Sequence, residues 1–274
     1  MPAALLALLL PVTASALNFN YDVAVVSDDN VNRAQEEFVR EDTFVAASLG
    51  AVHVQTISTN SVLVYRAALN GEGYSEFDGL SNFGLLGALD YKFQFGRGFT
   101  VSRFTLTASL LEQDFRSDIR DGTTLSLQAR MAKRFTDRIA GTLGLGATSR
   151  ESESEVFDND AARLFLNLDY NWSGRLVSYA TLNFISGDVV SSSPPTLDII
   201  NGADAIEPDD AFGGLETGWF AYRLQGETTM LTLGLNFAVN NKSSLDFSVE
   251  GLNTQTDVTE YDRLALRVNY LGNF

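Results

Sequence analysis

The chain has 274 residues, a formal net charge of −16, no cysteine, one histidine and 19 phenylalanines. Without cysteine there are no disulfides and no thiolate metal sites, and the acidic balance excludes nucleic acid, which requires a basic face. No internal run reaches the roughly eighteen apolar residues of a membrane helix; a membrane β-barrel escapes that test, because only alternate residues face lipid.

Residues 3–10 are apolar and lead into Ala14, Ser15 and Ala16, the small-x-small pattern at which secretory signals are cut. The expectation is a signal peptide over 1–16 and one domain over 17–274. No Lys or Arg precedes the apolar run, which departs from the usual signal. A short buried helix is the other reading; Pro11 and the abrupt change of pattern at Asn18 count against it.

From Asn18 onward the pattern is alternation, with successive side chains on opposite faces of a strand. Strand one, 18–26, carries Phe19, Tyr21, Val23 and Val25 on one face. Strand two, 43–57, shows Val45, Ala47, Leu49 and Ala51, and strand three, 61–70, shows Leu63, Tyr65, Ala67 and Leu69. Strand four, 83–95, is the clearest, with Phe83, Leu85, Gly87, Leu89, Tyr91, Phe93 and Phe95 in one register. Further strands are expected at 99–111, 123–135, 139–148, 161–172, 176–185, 223–239, 243–251 and 263–274. The stretch 219–225 reads as an outward extension of strand ten or as a short strand of its own.

The gaps alternate in kind. Short turns at 58–60, 96–98, 136–138, 173–175 and 240–242 all fall at one end, and long acidic gaps, the longest 186–222, fall at the other. Aromatics collect at the strand ends: Phe93, Phe95, Phe135, Tyr170, Trp172, Phe237, Tyr270 and Phe274 on the short-turn side, Phe83 and Phe184 on the other. A soluble β-sandwich also alternates, but it requires neither this parity nor aromatic girdles.

The last strand places Leu264, Leu266, Val268, Tyr270 and Phe274 on one face and ends on that Phe. This segment resembles the C-terminal strand of bacterial outer-membrane β-barrels. The resemblance implies an all-β, transmembrane, antiparallel up-and-down β-barrel of 12 strands, with short periplasmic turns, long extracellular loops and periplasmic termini. It implies the outer membrane of a Gram-negative bacterium, a monomer, and contact with lipid, lipopolysaccharide, periplasmic chaperones and the barrel-assembly machinery. Leu266, Val268, Tyr270 and Phe274 would be the signal that machinery reads. Asp28, Asp29, Asn30, Val31, Asn32 and Arg33 also resemble the opening of barrel porins from exopolysaccharide-export and surface-assembly systems. Those often carry helical-repeat domains; none is expected within this sequence.

Catalytic chemistry is sparse. Barrel hydrolases place a His beside a Ser or Asp near the outer leaflet, but His53 sits near the short-turn end of strand two and no long loop holds a His. It reads as structural, and the chain as a non-enzyme. Asp28, Asp29 and Asn30, and Glu151, Glu153 and Glu155, offer hard oxygens without the full calcium-loop pattern. Loosely bound divalent cations at the acidic loops, with no dedicated metal and no cofactor, are expected.

The inward face holds the informative charges. Arg66, Asp90, Arg103 and Arg130 lie four or five residues above the short turns and should form one layer on one wall. Asp169, Asp246 and Glu250, with Arg267 beside Glu250, occupy the other. Buried charges must be paired or hydrated, so this set either plugs the barrel or lines a watery passage. Small inward residues, Thr142, Gly144, Gly146, Thr232, Gly234 and Ala238, favour some lumen. Strand spacing and tilt give a twelve-strand barrel roughly 24 Å across the backbone and a passage of about 10 Å at most. The preferred reading is a porin-like channel for passive diffusion of small polar solutes; the alternative is a non-conducting structural or secretion-associated barrel. The acidic gap 186–222 either folds inward against Arg66, Arg103 and Arg130 or packs as an external flap.

Overall fold

The computed structural model describes residues 17–96, 98 and 100–274; the expected signal segment lies outside them. In chain order the strands are β1 (Asn18–Asp28), β2 (Asp42–Ser58), β3 (Ser61–Tyr74), β4 (Asn82–Gln94), β5 (Arg103–Phe115), β6 (Gly122–Arg134), β7 (Ile139–Ser152), β8 (Asn159–Asn171), β9 (Leu176–Ser193), β10 (Ala205–Pro208), β11 (Phe220–Ala238), β12 (Ser243–Thr256) and β13 (Glu260–Asn273). All except β10 form the barrel wall, each antiparallel to the next. β9 pairs with β11, and β13 returns to β1, so the ring of hydrogen bonds has no free edge. Closure matters because lipid offers no water to satisfy an open strand edge.

The alternation read from the sequence is the inside–outside code of this wall. Val25, Leu49, Leu127, Leu145, Leu233 and Leu266 all point outward and are between 49% and 62% exposed. A water-soluble barrel would hide such side chains; an apolar exterior on every strand fits a lipid solvent. Most inward positions are polar or small, with Phe44, Val64, Phe165 and Tyr179 among the larger exceptions. A slip of one residue in any pairing would exchange the two faces, so the pattern also fixes the register.

The expected twelve strands are present, most of them longer than expected at the loop end. β3 runs to Tyr74, β9 to Ser193 and β12 to Thr256. Above the apolar band most residues are polar, and apolar ones such as Val190 and Tyr222 pack against the loops, so the period fades from the sequence while the backbone ladder continues. The stretch 219–225 extends the tenth wall strand: Phe220–Arg223 pairs with β9 on one side and β10 on the other. β10 occupies the edge that β12 leaves vacant, since β12 pairs with β11 only from Gly226.

One turn departs from expectation. β5 begins at Arg103, opposite Gln94, rather than at residue 99. Gly96 and Gly98 both take positive φ, 118° and 135°, which ends the pleat of β4 and makes the connection longer.

At the seam between β1 and β13, Phe274 stacks on Phe19 with ring centres 5.7 Å apart, and Tyr270 lies 5.8 Å from Tyr21. Leu266 and Val268 share this outer face. Elsewhere at the same end Phe95, Phe135 and Trp172 are exposed, as a girdle requires.

Candidate functional site: the lumen and its covered mouth

Segment 194–219 connects β9 to β11 and holds α1 (Leu197–Gly202), β10 and α2 (Gly214–Thr217). It touches the other long loops all round the ring. Ala211 and Phe212 pack with Leu80 and Trp219, against Val31, Phe38, Tyr74 and Phe77. Asp210 accepts a hydrogen bond from Ser117 on the β5–β6 tip, and Glu207 accepts one from Ser154 on the β7–β8 tip. Ile199 packs with Tyr222 and Leu224, with Val258 of the β12–β13 loop against them. A segment rooted between β9 and β11 reaches the β3–β4 tip, on the opposite side of the ring, only by crossing the mouth. It is a packed cover.

The polar anchor of this cover is Asp209, which is fully buried. It accepts hydrogen bonds from Arg120 at 2.5 Å and from Ser192, and it caps the turn at Ala211. Arg120 lies 4.3 Å from the ring centre of Phe157. Burial pushes the Arg120 guanidinium below its usual range, and the Asp209 charge pulls it back.

Among the described residues this loop makes no ion pair with Arg66, Arg103 or Arg130; Glu207, Asp209 and Asp210 are held instead by Ser154, Arg120 and Ser117 at the loop tips. Beneath the cover lies a cavity of about 400 Å³, lined by residues that include Arg33, Arg120 and Arg150, with Glu72 as its carboxylate.

Further down, the expected layer is partly assembled. Arg66 pairs with buried Asp90 at 2.9 Å, and Thr107 and Lys92 also reach Asp90, at 2.8 and 3.7 Å. Arg130 faces inward level with Thr105. Arg103 does not join the layer. It starts β5 opposite Gln94, four residues along β4 from Asp90, and is exposed. The cause is the later start of β5.

On the other wall, Asp246 accepts from Tyr179 at 2.9 Å and Asn236 at 3.3 Å, and Asp169 accepts from Asn167 at 2.9 Å. Glu250 pairs with Arg263 at 2.9 Å rather than with Arg267; Arg263 also holds Asp28 at 2.7 Å. Arg267 pairs instead with Asp22 at 3.6 Å. The register decides this: Glu250 stands opposite Ala265, so the inward arginines on either side compete for it.

Two of the small inward residues do not leave empty space. A Cβ at Gly234 would lie 2.2 Å from the Tyr179 ring, and one at Gly144 2.4 Å from Phe165. These aromatics lie flat along the wall over their glycine neighbours. Water still reaches mid-height, where inward Ser48, Ala68, Ser126, Gln128, Thr142 and Thr232 are partly exposed. Among the described residues, no carboxylate lies within 4.0 Å of Arg33, Arg103, Arg130, Arg150 or Arg163. The last four lie on β5–β8, so that wall is rich in guanidiniums, with Asp169 of β8 facing inward among them.

Other candidates are otherwise engaged. Asp28 is taken by Arg263, and the Asn30 side chain donates to the carbonyls of Ala34 and Asp262. His53 faces outward near the short-turn end, 5.9 Å from the Tyr65 ring. A largely apolar depression of about 850 Å³ lies along the wall, lined by outward Leu235, Phe247 and Val268 and by Asp169, Tyr179 and Arg267 among others.

Sequence reasoning missed Arg33, Arg120, Arg150 and Arg163. Extending the alternation of strand seven by two residues would have placed Arg150 inward; Arg163 already stood in the inward register of strand eight, 161–172, and Arg33 within a motif already marked.

The sequence matches no protein-family model, and no curated protein is similar to it in sequence. Solved structures do resemble the fold. The COG4313 outer membrane channel from Pseudomonas putida F1 superposes with a TM-score of 0.63 at 15% identity, over 95% of this chain and 97% of that one. A KdgM porin in complex with disordered oligogalacturonate aligns over 93% and 99% at 10% identity, with a TM-score of 0.49. The NanC porin aligns over 92% and 98% at 7% identity, with a TM-score of 0.48. Taken with the apolar exterior and the unbroken hydrogen-bonded ring, the likeness shows a fold: this chain is a twelve-stranded, antiparallel β-barrel of the outer-membrane type.

Proposed function

We propose that the chain resides in the outer membrane of a Gram-negative bacterium and is a channel for passive diffusion of small polar solutes. The short turns and both termini face the periplasm, and the covered mouth faces outward. The carrying observation is a polar, partly exposed interior in which Arg130 and Arg163 have no carboxylate partner, Arg163 donating instead to Asn183 at 2.8 Å, inside a wall with no gap in its hydrogen bonding. Unpaired guanidiniums in lipid-enclosed protein are sustainable only where water reaches them. Solute movement is then axial, since no strand pair opens sideways. No catalytic role is assigned.

Lipid and lipopolysaccharide surround the barrel in this reading, loosely bound divalent cations accompany the acidic loops, and Leu266, Val268, Tyr270 and Phe274 present the signal for assembly. Planar-bilayer recording of the purified barrel is the test; discrete, ohmic single-channel steps are the expected result. The second reading, a non-conducting structural or secretion-associated barrel, is favoured by one feature: the cover over the mouth. A barrel that stays silent both intact and with the cover removed supports it.

A further inference from the structure

Charge is distributed unevenly in this molecule. The chain carries −16 overall, yet the cavity under the cover gathers Arg33, Arg120 and Arg150. Arg120 is satisfied by Asp209. Arg150 has no carboxylate within 4.0 Å, and Asp121 and Asp158 act on it only from farther away; its guanidinium is held by Ser152, by Gln113 at 3.0 Å and by the Arg120 carbonyl, beside the Phe115 ring. Fixing a guanidinium with neutral acceptors keeps its full charge available to a visitor, in a place where the neighbouring Arg120 repels it.

Arg33 supplies an independent observation. Its φ is +54°, the left-handed region, and it is the only non-glycine residue there among those described. An L-residue in that region costs on the order of 1–2 kcal/mol, so the surroundings must impose it. They do: buried Asn30 and Asn32, both just ahead of it, bond to the carbonyls of Ala34, Asp262, Phe38 and Ser192. The strained residue presents an exposed guanidinium to the cavity with no carboxylate partner. Strain held in place by buried hydrogen bonds is typical of ligand clamps.

From these two features we infer that the cavity is a binding site for a small polar carboxylate, held by Arg33 and Arg150. The inference rests on the channel reading for its route of entry, but it makes a separate claim. Arg guanidiniums match a carboxylate in geometry and charge. The volume of about 400 Å³ is at the small end of ligand pockets. Thr148, inward yet exposed, offers a hydroxyl to a polar body.

The test is isothermal titration calorimetry of the full folded protein in neutral detergent, with sodium gluconate, sorbitol and inorganic phosphate as probes. Gluconate and sorbitol match in size and hydroxyls and differ in the carboxylate. Gluconate is expected to bind and sorbitol not. Arg33→Asn tolerates the left-handed backbone and removes the charge; Arg150→Gln removes the other. Each is expected to weaken gluconate about tenfold, the scale of one charged hydrogen bond. Binding of sorbitol equal to gluconate, equal affinity for phosphate, or gluconate affinity unchanged in heat-modifiable Arg33→Asn overturns the site. Gluconate binding with a silent bilayer leaves the site standing and removes the channel; conduction without binding does the reverse.

Discussion

The guanidinium of Arg120, on the tip between β5 and β6, meets the buried carboxylate of Asp209, on the segment between β9 and β11, at 2.5 Å. Their sequence separation is 89 residues, and the contact fastens the cover to the far rim of the barrel. Removing one partner strands the other charge in a dry site, which typically costs about 3–5 kcal/mol. Arg120→Ala is therefore expected to loosen the cover while leaving the wall intact. Limited proteolysis of the folded protein checks this: cleavage within 194–219 should accelerate, with the barrel core resistant. An unchanged cleavage rate counts against Asp209 as the anchor.

Removing the cover is the complementary change. A deletion of 195–217 leaves the β9–β11 pairing below Ser193 in place. In planar bilayers this variant should pass more current per channel than the intact barrel. Equal conductance would place the narrowest point in the lumen instead.

Charge reversal separates the lumen from its rim. Arg130 is partly buried at lumen height, whereas Arg103 is exposed where β5 begins. Exposed charges are screened over about 10 Å at 0.1 M salt. Reversal potentials across a salt gradient should therefore shift further toward cations in Arg130→Glu than in Arg103→Glu. A larger shift for Arg103→Glu contradicts the register of β5.

Gly234 tests the packing of the wall. A side chain there collides with Tyr179, whose hydroxyl donates to Asp246. Overpacking of this kind costs roughly 1–3 kcal/mol. Gly234→Val should lower the temperature at which the heat-modifiable gel band converts, and Tyr179→Ala should restore it in the double variant. Absence of rescue means that Tyr179 does not lie over Gly234.

The terminal seam can be tested by truncation. Phe274 stacks on Phe19 and lies 6.2 Å from Tyr21, closing the ring from outside. Deleting Phe274 should reduce membrane-inserted protein in cells. Normal yield would assign the resemblance of the last strand to packing alone.

The twelve wall strands, their lipid-facing side and the side of the short turns were legible from Asn18 onward, because lipid selects alternate residues directly. Phe83, Leu85 and Leu89 announce their face without reference to any neighbour. Pairings such as Arg66 with Asp90 followed from the same alternation, since both residues sit inward on adjacent strands. Contacts between distant loops left no period to read. Arg120 with Asp209, the choice of Arg263 over Arg267 by Glu250, and the crossing of 194–219 over the mouth depend on which segments closure brings together. Alternation is a property of a strand and its solvent. The register at the rim, the late start of β5 and the filling of Gly144 and Gly234 by their neighbours arise only when twelve strands share one interior.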